Sequence, residues 1–221
     1  VAEKYYKDVW TTKVHLKKGY TSIYEFSWED YYIYMLVHLA KHIKLGGSGI
    51  RSIIDIKIFL DKKKEELNWD YVKEELKKLH LSQFEYWMRQ LSEVWFGTEK
   101  TTPLYDELTE FIVDSGTYGT IKNYHASHVV ELGGKNQNLS VGKIRSKLEI
   151  IFLPYEGMQE QYLYLEKFPF LLPVAWIQRI FRTIVWRKDK ITSTLQSTNI
   201  EQDRLEKVKK VMDALELFES D

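Results

Sequence analysis

The 221-residue chain contains no cysteine. Disulfides, thiolate catalysis and cysteine-ligated zinc are therefore excluded, and a reducing, cytoplasmic setting is the simplest expectation. No run of about 18 apolar residues free of charge occurs, so no spanning helix is expected. No signal-peptide pattern, internal repeat or low-complexity tract is visible either. Charge of one sign is also missing: 32 Lys and Arg balance 32 Asp and Glu, and the isoelectric point is near 7.2. That argues against nucleic acid as a partner for the whole surface, though not against a local basic patch. What remains is 44% apolar, 29% charged and 14% aromatic, with 15 Tyr and 7 Trp. This is the composition of a globular domain. The length suits one or two domains of roughly 100–200 residues, enough to bury about 70% of the unfolded surface. The chain starts at Val1 without Met and reads as mid-domain sequence, so a fragment or trimmed product is expected.

The stretch Glu29 to Leu60 organises the rest. Ile33, Leu36, Val37, Ala40 and Ile43 recur at helical spacing, and so do Ile50, Ile53, Ile54, Ile56 (or Lys57), Ile58 and Leu60. Gly46-Gly47-Ser48-Gly49 lies between the two runs and supplies the positive φ of a tight turn. Polar groups sit within this apolar setting. His38 and His42 are i, i+4, as are Arg51 and Asp55, so each pair shares a helix face. The arrangement predicts a buried polar cluster in which His42 and Arg51 hydrogen-bond Asp55 and pin the two helices.

The order of motifs here resembles a known family. The carriers are His38-Leu39-Ala40-Lys41-His42, then Gly46-Gly47-Ser48-Gly49-Ile50-Arg51, then Asp55. Further along come Asn68-Trp69-Asp70-Tyr71-Val72, Phe96-Gly97, Ser115-Gly116-Thr117-Tyr118-Gly119 and Ile151-Phe152-Leu153-Pro154. Last is the run from Tyr162 through Phe170-Leu171-Leu172-Pro173 to Arg179. Together they resemble the C-terminal helical part of the uncharacterised bacterial nucleotidyltransferases of the MNT/polymerase-beta-like fold, over roughly Trp10 to Arg187. The resemblance implies a longer protein that uses Mg²⁺ and an NTP, with its catalytic α/β sheet upstream of residue 1. The acceptor stays open, because fold-level likeness does not fix it.

Caps and periodicity predict the other elements. A helix is expected over Glu3 to Val9, then a small hairpin with strands near Val14 and Tyr24 and a Lys17-Lys18-Gly19 turn. Ser27 is an N-cap, with Asp30 in the place of a capping-box Glu. Helices follow after Asn68 or Asp70, from Ser82 to Phe96, and from Pro103 to about Asp114. The polar stretch from Lys122 to Gly142 reads as a mobile loop. Helices are then expected over Lys143 to Phe152, over Gly157 to Lys167, and from Pro173. In the last, Trp176, Ile177, Ile180, Phe181, Ile184 and Val185 form a core-facing stripe, with Arg179, Arg182, Arg187 and Lys188 on or beyond its polar side. A polar link from Lys190 to Asn199 leads to a final helix carrying Leu205, Val208, Met212 and Leu215.

Two chemical patterns need weighing. Gly47-Ser48 followed by Asp55-Ile56-Lys57 imitates the turn and paired carboxylates of a nucleotidyltransferase. Lys57 replaces the second carboxylate and the segment is helical, so it is rejected. His38 and His42 have a spacing that lets two imidazoles share a metal, but a catalytic zinc also needs a third ligand, from Asp55, Asp30 or His15. No catalytic or metal residue is assigned. Lys41 and Arg51 suit phosphate contacts instead. His38, Lys41, His42, Arg51 and Asp55 are thus the candidate set, lining a nucleotide or acceptor cleft or forming a structural cluster.

The expected architecture is mainly α, with eight or nine helices and at most a small hairpin near the N-terminus. Residues 1–28 form a connector, 29–188 a helical domain and 189–221 a C-terminal helix. In function it is the helical region of a nucleotidyltransferase, partnered by the upstream core and an unknown acceptor. The chain alone is expected to be inactive and to bind Mg²⁺–ATP weakly or not at all. A non-catalytic protein-interaction module is the alternative.

Overall fold

Side-chain caps start two helices of the N-terminal half where the sequence places them. The Asp30 amide donates to Ser27 Oγ at 3.1 Å, opening α3 (Trp28–Lys44). The Tyr71 amide donates to Asn68 Oδ1 at 3.1 Å, opening α5 (Trp69–Lys78). Pro103, whose fixed φ suits a first turn, opens α7 (Pro103–Asp114). Between them run α4 (Ile50–Lys63) and α6 (Ser82–Phe96).

These elements belong to a computed structural model that describes residues 1–117, 119–134, 138–186 and 200–217, with the backbone alone at 150 and 183–186. Among the described residues there are twelve α-helices, nine of seven or more residues, and one two-stranded antiparallel sheet. The mainly helical expectation holds. Of the sequence features singled out above, Tyr118, Arg187, Lys188 and the link from Lys190 to Asn199 lie outside the described residues.

The chain divides into two compact units, Val1–Tyr124 with Lys207–Asp221, and His125–Glu206. The first begins with two single-turn helices, α1 (Ala2–Tyr5) and α2 (Val9–Thr12), in place of the one helix expected there. The strands β1 (Val14–Leu16) and β2 (Tyr24–Phe26) then pair with Val14 opposite Phe26 and Leu16 opposite Tyr24. Helices α3 to α6 bury Tyr32, Ile33 and Leu36 against Ile53, Ile56, Phe84 and Met88. The α7 residues Leu108 and Ile112 are also buried, as are Val208, Met212 and Leu215 of the C-terminal helix α12 (Gln202–Ala214). Lys207 and Lys210 pair with Glu110 and Glu107 of α7, at 2.6 and 2.5 Å. The predicted stripe of the last helix is thus a core face.

Two expectations fail further along. The supposed mobile loop contains α8 (Ile121–Leu132), and α9 (Leu139–Ile151) already starts inside it, capped by Asn138. The polar composition misled because α8 buries no large apolar group: its buried side is Asn123, Ala126, Ser127, Val129 and Val130. In the second unit, α10 (Tyr155–Gln159) and α11 (Leu172–Trp186) enclose a core of Met158, Leu165 and Ala175. The buried side of α11 is therefore Leu172, Ala175 and Trp176. Ile177 and Phe181, two and six residues beyond Ala175, fall on the far side of the helix and are exposed. Arg179 is also not merely solvated, for its Nη1 donates to the Ile151 carbonyl at 2.9 Å. No helix among the described residues is long and apolar enough to cross a membrane.

Candidate functional site

The turn between α3 and α4 is built from backbone rather than side chains. Gly46 and Gly47 have φ of 109° and 119°. The Gly46 and Gly47 amides cap the Ile43 and His42 carbonyls at 3.2 and 2.9 Å, a Schellman closure of α3. Ser48 and Ser52 hydroxyls share a hydrogen bond of 2.8 Å at the start of α4. All four residues from Gly46 to Gly49 are buried, because a second glycine turn lies on them. A Cβ on Gly49 would meet the Gly116 carbonyl at 2.9 Å, and one on Gly119 would meet the Gly46 backbone at 2.8 Å. The Thr120 amide donates to the Gly46 carbonyl at 3.3 Å. Ser115 Oγ, seated against Gly47, donates to the Phe111 carbonyl at 2.6 Å and accepts from Asn123 Nδ2 at 3.2 Å. The amide-rich turn is thus sealed by protein.

The polar residues flanking this turn do not form the expected cluster. Arg51 and Asp55 side chains are 89% and 52% exposed and 3.8 Å apart at closest approach. Helix α4 buries Ile53, Ile56, Phe59 and Leu60, which leaves Arg51, Asp55 and Ile58 toward solvent. The expectation of a desolvated ion pair is therefore overturned. His42 likewise meets His38 rather than Asp55, with the two Nε2 atoms 3.0 Å apart. His38 stacks on Tyr34 at 5.9 Å, and Tyr34 stacks on Phe26 at 5.7 Å. Partial burial, His42 and Lys41 together lower the His38 pKa below the ordinary value. Lys41 is exposed, one residue before His42. Lys57, the lysine of the rejected carboxylate pattern, is held by Asp61 at 2.6 Å and Glu93 at 3.0 Å.

The buried polar cluster lies elsewhere, around Lys13. Its Nζ approaches Tyr71 Oη at 2.8 Å, Glu75 Oε2 at 2.9 Å and Asp30 Oδ1 at 3.2 Å. It also lies over the Tyr5 ring, 4.6 Å from the centroid. Tyr5 Oη donates to Glu75, Lys78 pairs with Glu75, and Tyr71 Oη donates to Asp30 at 2.8 Å. The Lys13, Asp30 and Glu75 side chains are only 12%, 11% and 8% exposed. Burial acts to raise the Glu75 pKa, but the hydrogen bonds from Lys78, Tyr5 and Lys13 outweigh it and hold it at about 2. Burial acts to lower the Lys13 pKa, and its bonds to Tyr5, Tyr71 and Glu75 raise it above the ordinary value. The cluster ties the N-terminal turns to α3 and α5. Nothing local announces it, since its partners are 17 and 62 residues away. The only sequence signal is a set of acidic and tyrosine positions on the buried faces of two helices.

An open groove of about 480 Å³ runs beside α4 and α6, lined by Leu60, Lys62, Arg89, Glu93 and Glu99 among others. Its mixed charge does not single out a phosphate. Among the described residues no three His, Asp or Glu are placed to share a metal ion. They do not fit the paired Mg²⁺ ions of nucleotidyl transfer, and no reaction step through Mg²⁺ follows from them.

Comparison with known sequences gives a partial match. Residues 2–97 match the model of a family described as uncharacterised nucleotidyltransferase. The matched segment holds the Lys13 cluster, the His38–His42 pair, the glycine turn after α3 and helices α3 to α6. No curated protein and no solved structure matches.

Proposed function

We propose, from the match of residues 2–97 to an uncharacterised nucleotidyltransferase family, that this chain is the helical part of a nucleotidyltransferase. In this reading the Mg²⁺-binding carboxylates come from polypeptide outside these 221 residues. The helical part closes one side of the cleft, where a nucleotidyl group passes from an NTP to an acceptor. The observation that carries the reading is the family match together with the placement of Lys41, His38, His42, Arg51 and Asp55. All five flank the rigid α3–α4 turn with partly or fully exposed side chains, and none is consumed by the core. Arg51, with its planar fork and high exposure, is the group best suited to meet a phosphate from outside. The chain alone is expected to bind Mg²⁺–ATP weakly or not at all. Calorimetry showing micromolar, Mg²⁺-dependent binding would overturn the division of labour. Activity of the longer protein, lowered by Arg51→Ala without loss of stability, would support it.

A second reading, a protein-interaction module, is favoured by the exposed aromatic and aliphatic groups of the N-terminal turns and hairpin, Trp10, Tyr20, Ile23 and Tyr24. Upstream coding sequence with a Gly-Ser turn followed by an Asp-x-Asp strand selects the enzyme, and its absence selects the module.

A further inference from the structure

His38 and His42 lie one turn apart on α3, His38 exposed and His42 half-buried, with Nε2 atoms 3.0 Å apart and ring planes at 75°. The two rings share a hydrogen bond. Two imidazole nitrogens bound at right angles to one ion, each about 2.1 Å from it, lie about 3.0 Å apart, which is the separation this pair already has.

We propose that His38 and His42 form a bidentate site for a borderline transition-metal ion of the copper(II) and nickel(II) class, with water or an outside ligand in its other positions. Two protein ligands are too few for a closed structural zinc site. Adjacent imidazoles at right angles are the arrangement that a tetragonal, nitrogen-preferring ion accepts. The site is held in advance. The helix fixes the i, i+4 spacing, and the stack of Phe26, Tyr34 and His38 fixes one ring. Imidazole nitrogen suits copper and nickel, whereas Mg²⁺ prefers oxygen ligands and keeps its water. The inference is independent of the nucleotidyltransferase reading.

The test is titration of the tag-free 221-residue chain with Ni²⁺ and with Cu²⁺, followed by calorimetry and, for Cu²⁺, by electron paramagnetic resonance. One site is expected, with two nitrogen ligands in the copper spectrum and a rise in melting temperature in excess Ni²⁺. His38→Phe keeps a ring on Tyr34 but removes the ligand, and His42→Gln removes the other. Each should weaken binding by at least about tenfold and abolish the thermal shift, with circular dichroism unchanged. Binding that persists in both variants would place the ion on His15, His80, His125 or His128 and overturn the proposal. So would absence of binding by the unaltered chain.

Discussion

Gly47 and Ser115 adjoin with no space for a side chain between them, since a Cβ on Gly47 would lie 1.9 Å from Ser115 Oγ. This contact locks the α3–α4 turn to the turn after α7. Gly47→Ala faces two separate costs, a φ of 119° and the overlap with Ser115. Together they should destabilise the chain by at least about 2 kcal/mol. Gly116 is the control, with positive φ but nothing within 4 Å of its absent Cβ. Gly116→Ala should cost about 1–2 kcal/mol. Urea melts that place the two variants level would show that the turns are not interlocked as described.

Lys13 holds two carboxylates that would otherwise be buried side by side. Lys13→Met should cost up to about 3–5 kcal/mol, because it removes the cation that Asp30 and Glu75 share and leaves Asp30 only Tyr71 and Glu75 only Tyr5 and Lys78 of the partners named here. The pH dependence has a definite sign. Glu75 has a folded pKa of about 2, below its ordinary 4.5. Its contribution is complete above about pH 4.5 and is lost as pH falls toward 2. Glu75→Gln should be less stable than the parent at pH 7, and the gap should narrow between those two values. A gap that stays constant from pH 7 to pH 2 would mean that Glu75 is not held as a charged partner.

Asp55→Ala should lower the unfolding free energy measured in urea by less than about 0.5 kcal/mol. Arg51→Ala should do the same. Sequence reading alone led to the opposite expectation, a loss of several kcal/mol from a desolvated pair. The exposure of both groups reverses it. A large loss for either variant would require a partner that the structure does not give them.

The contrast shows which information a single sequence carries. Helices α3, α5, α6 and α7 were legible because their signals are local: a cap at Ser27 or Asn68, proline at Pro103, and apolar residues every three or four positions. The i, i+4 rule also identified Arg51 with Asp55 and His38 with His42 as pairs on one face. It cannot tell which face is buried when a helix carries apolar residues all round, as α4 does with Ile50 and Ile58 exposed. The Lys13 cluster was invisible for a different reason. A lysine in a polar segment looks solvated until chain packing brings α5 onto it.

Helix α8 is the element that polar composition concealed, and its packing gives the last prediction. Gly142, near the start of α9, sits so close to α8 that a Cβ there would lie 1.9 Å from the Val129 carbonyl. His128 Nε2 and Glu149 Oε2 meet at 2.7 Å between the same two helices. The Asn138 side chain accepts from the Ser140 and Val141 amides at 3.0 and 3.3 Å, starting α9 beside that crossing. A backbone carbonyl cannot rotate away as a side chain could. Gly142→Ala must therefore push the helices apart, at a cost of about 1–3 kcal/mol or more. Asn138→Ala should cost about 1 kcal/mol through loss of the cap alone. Hydrogen exchange provides the direct check. Amides from Tyr124 to Leu132 should be protected in the parent chain and exchange faster in Gly142→Ala, while α3 and α4 keep their protection. Rapid exchange across 124–132 in the parent would restore the mobile loop that the sequence alone led us to expect.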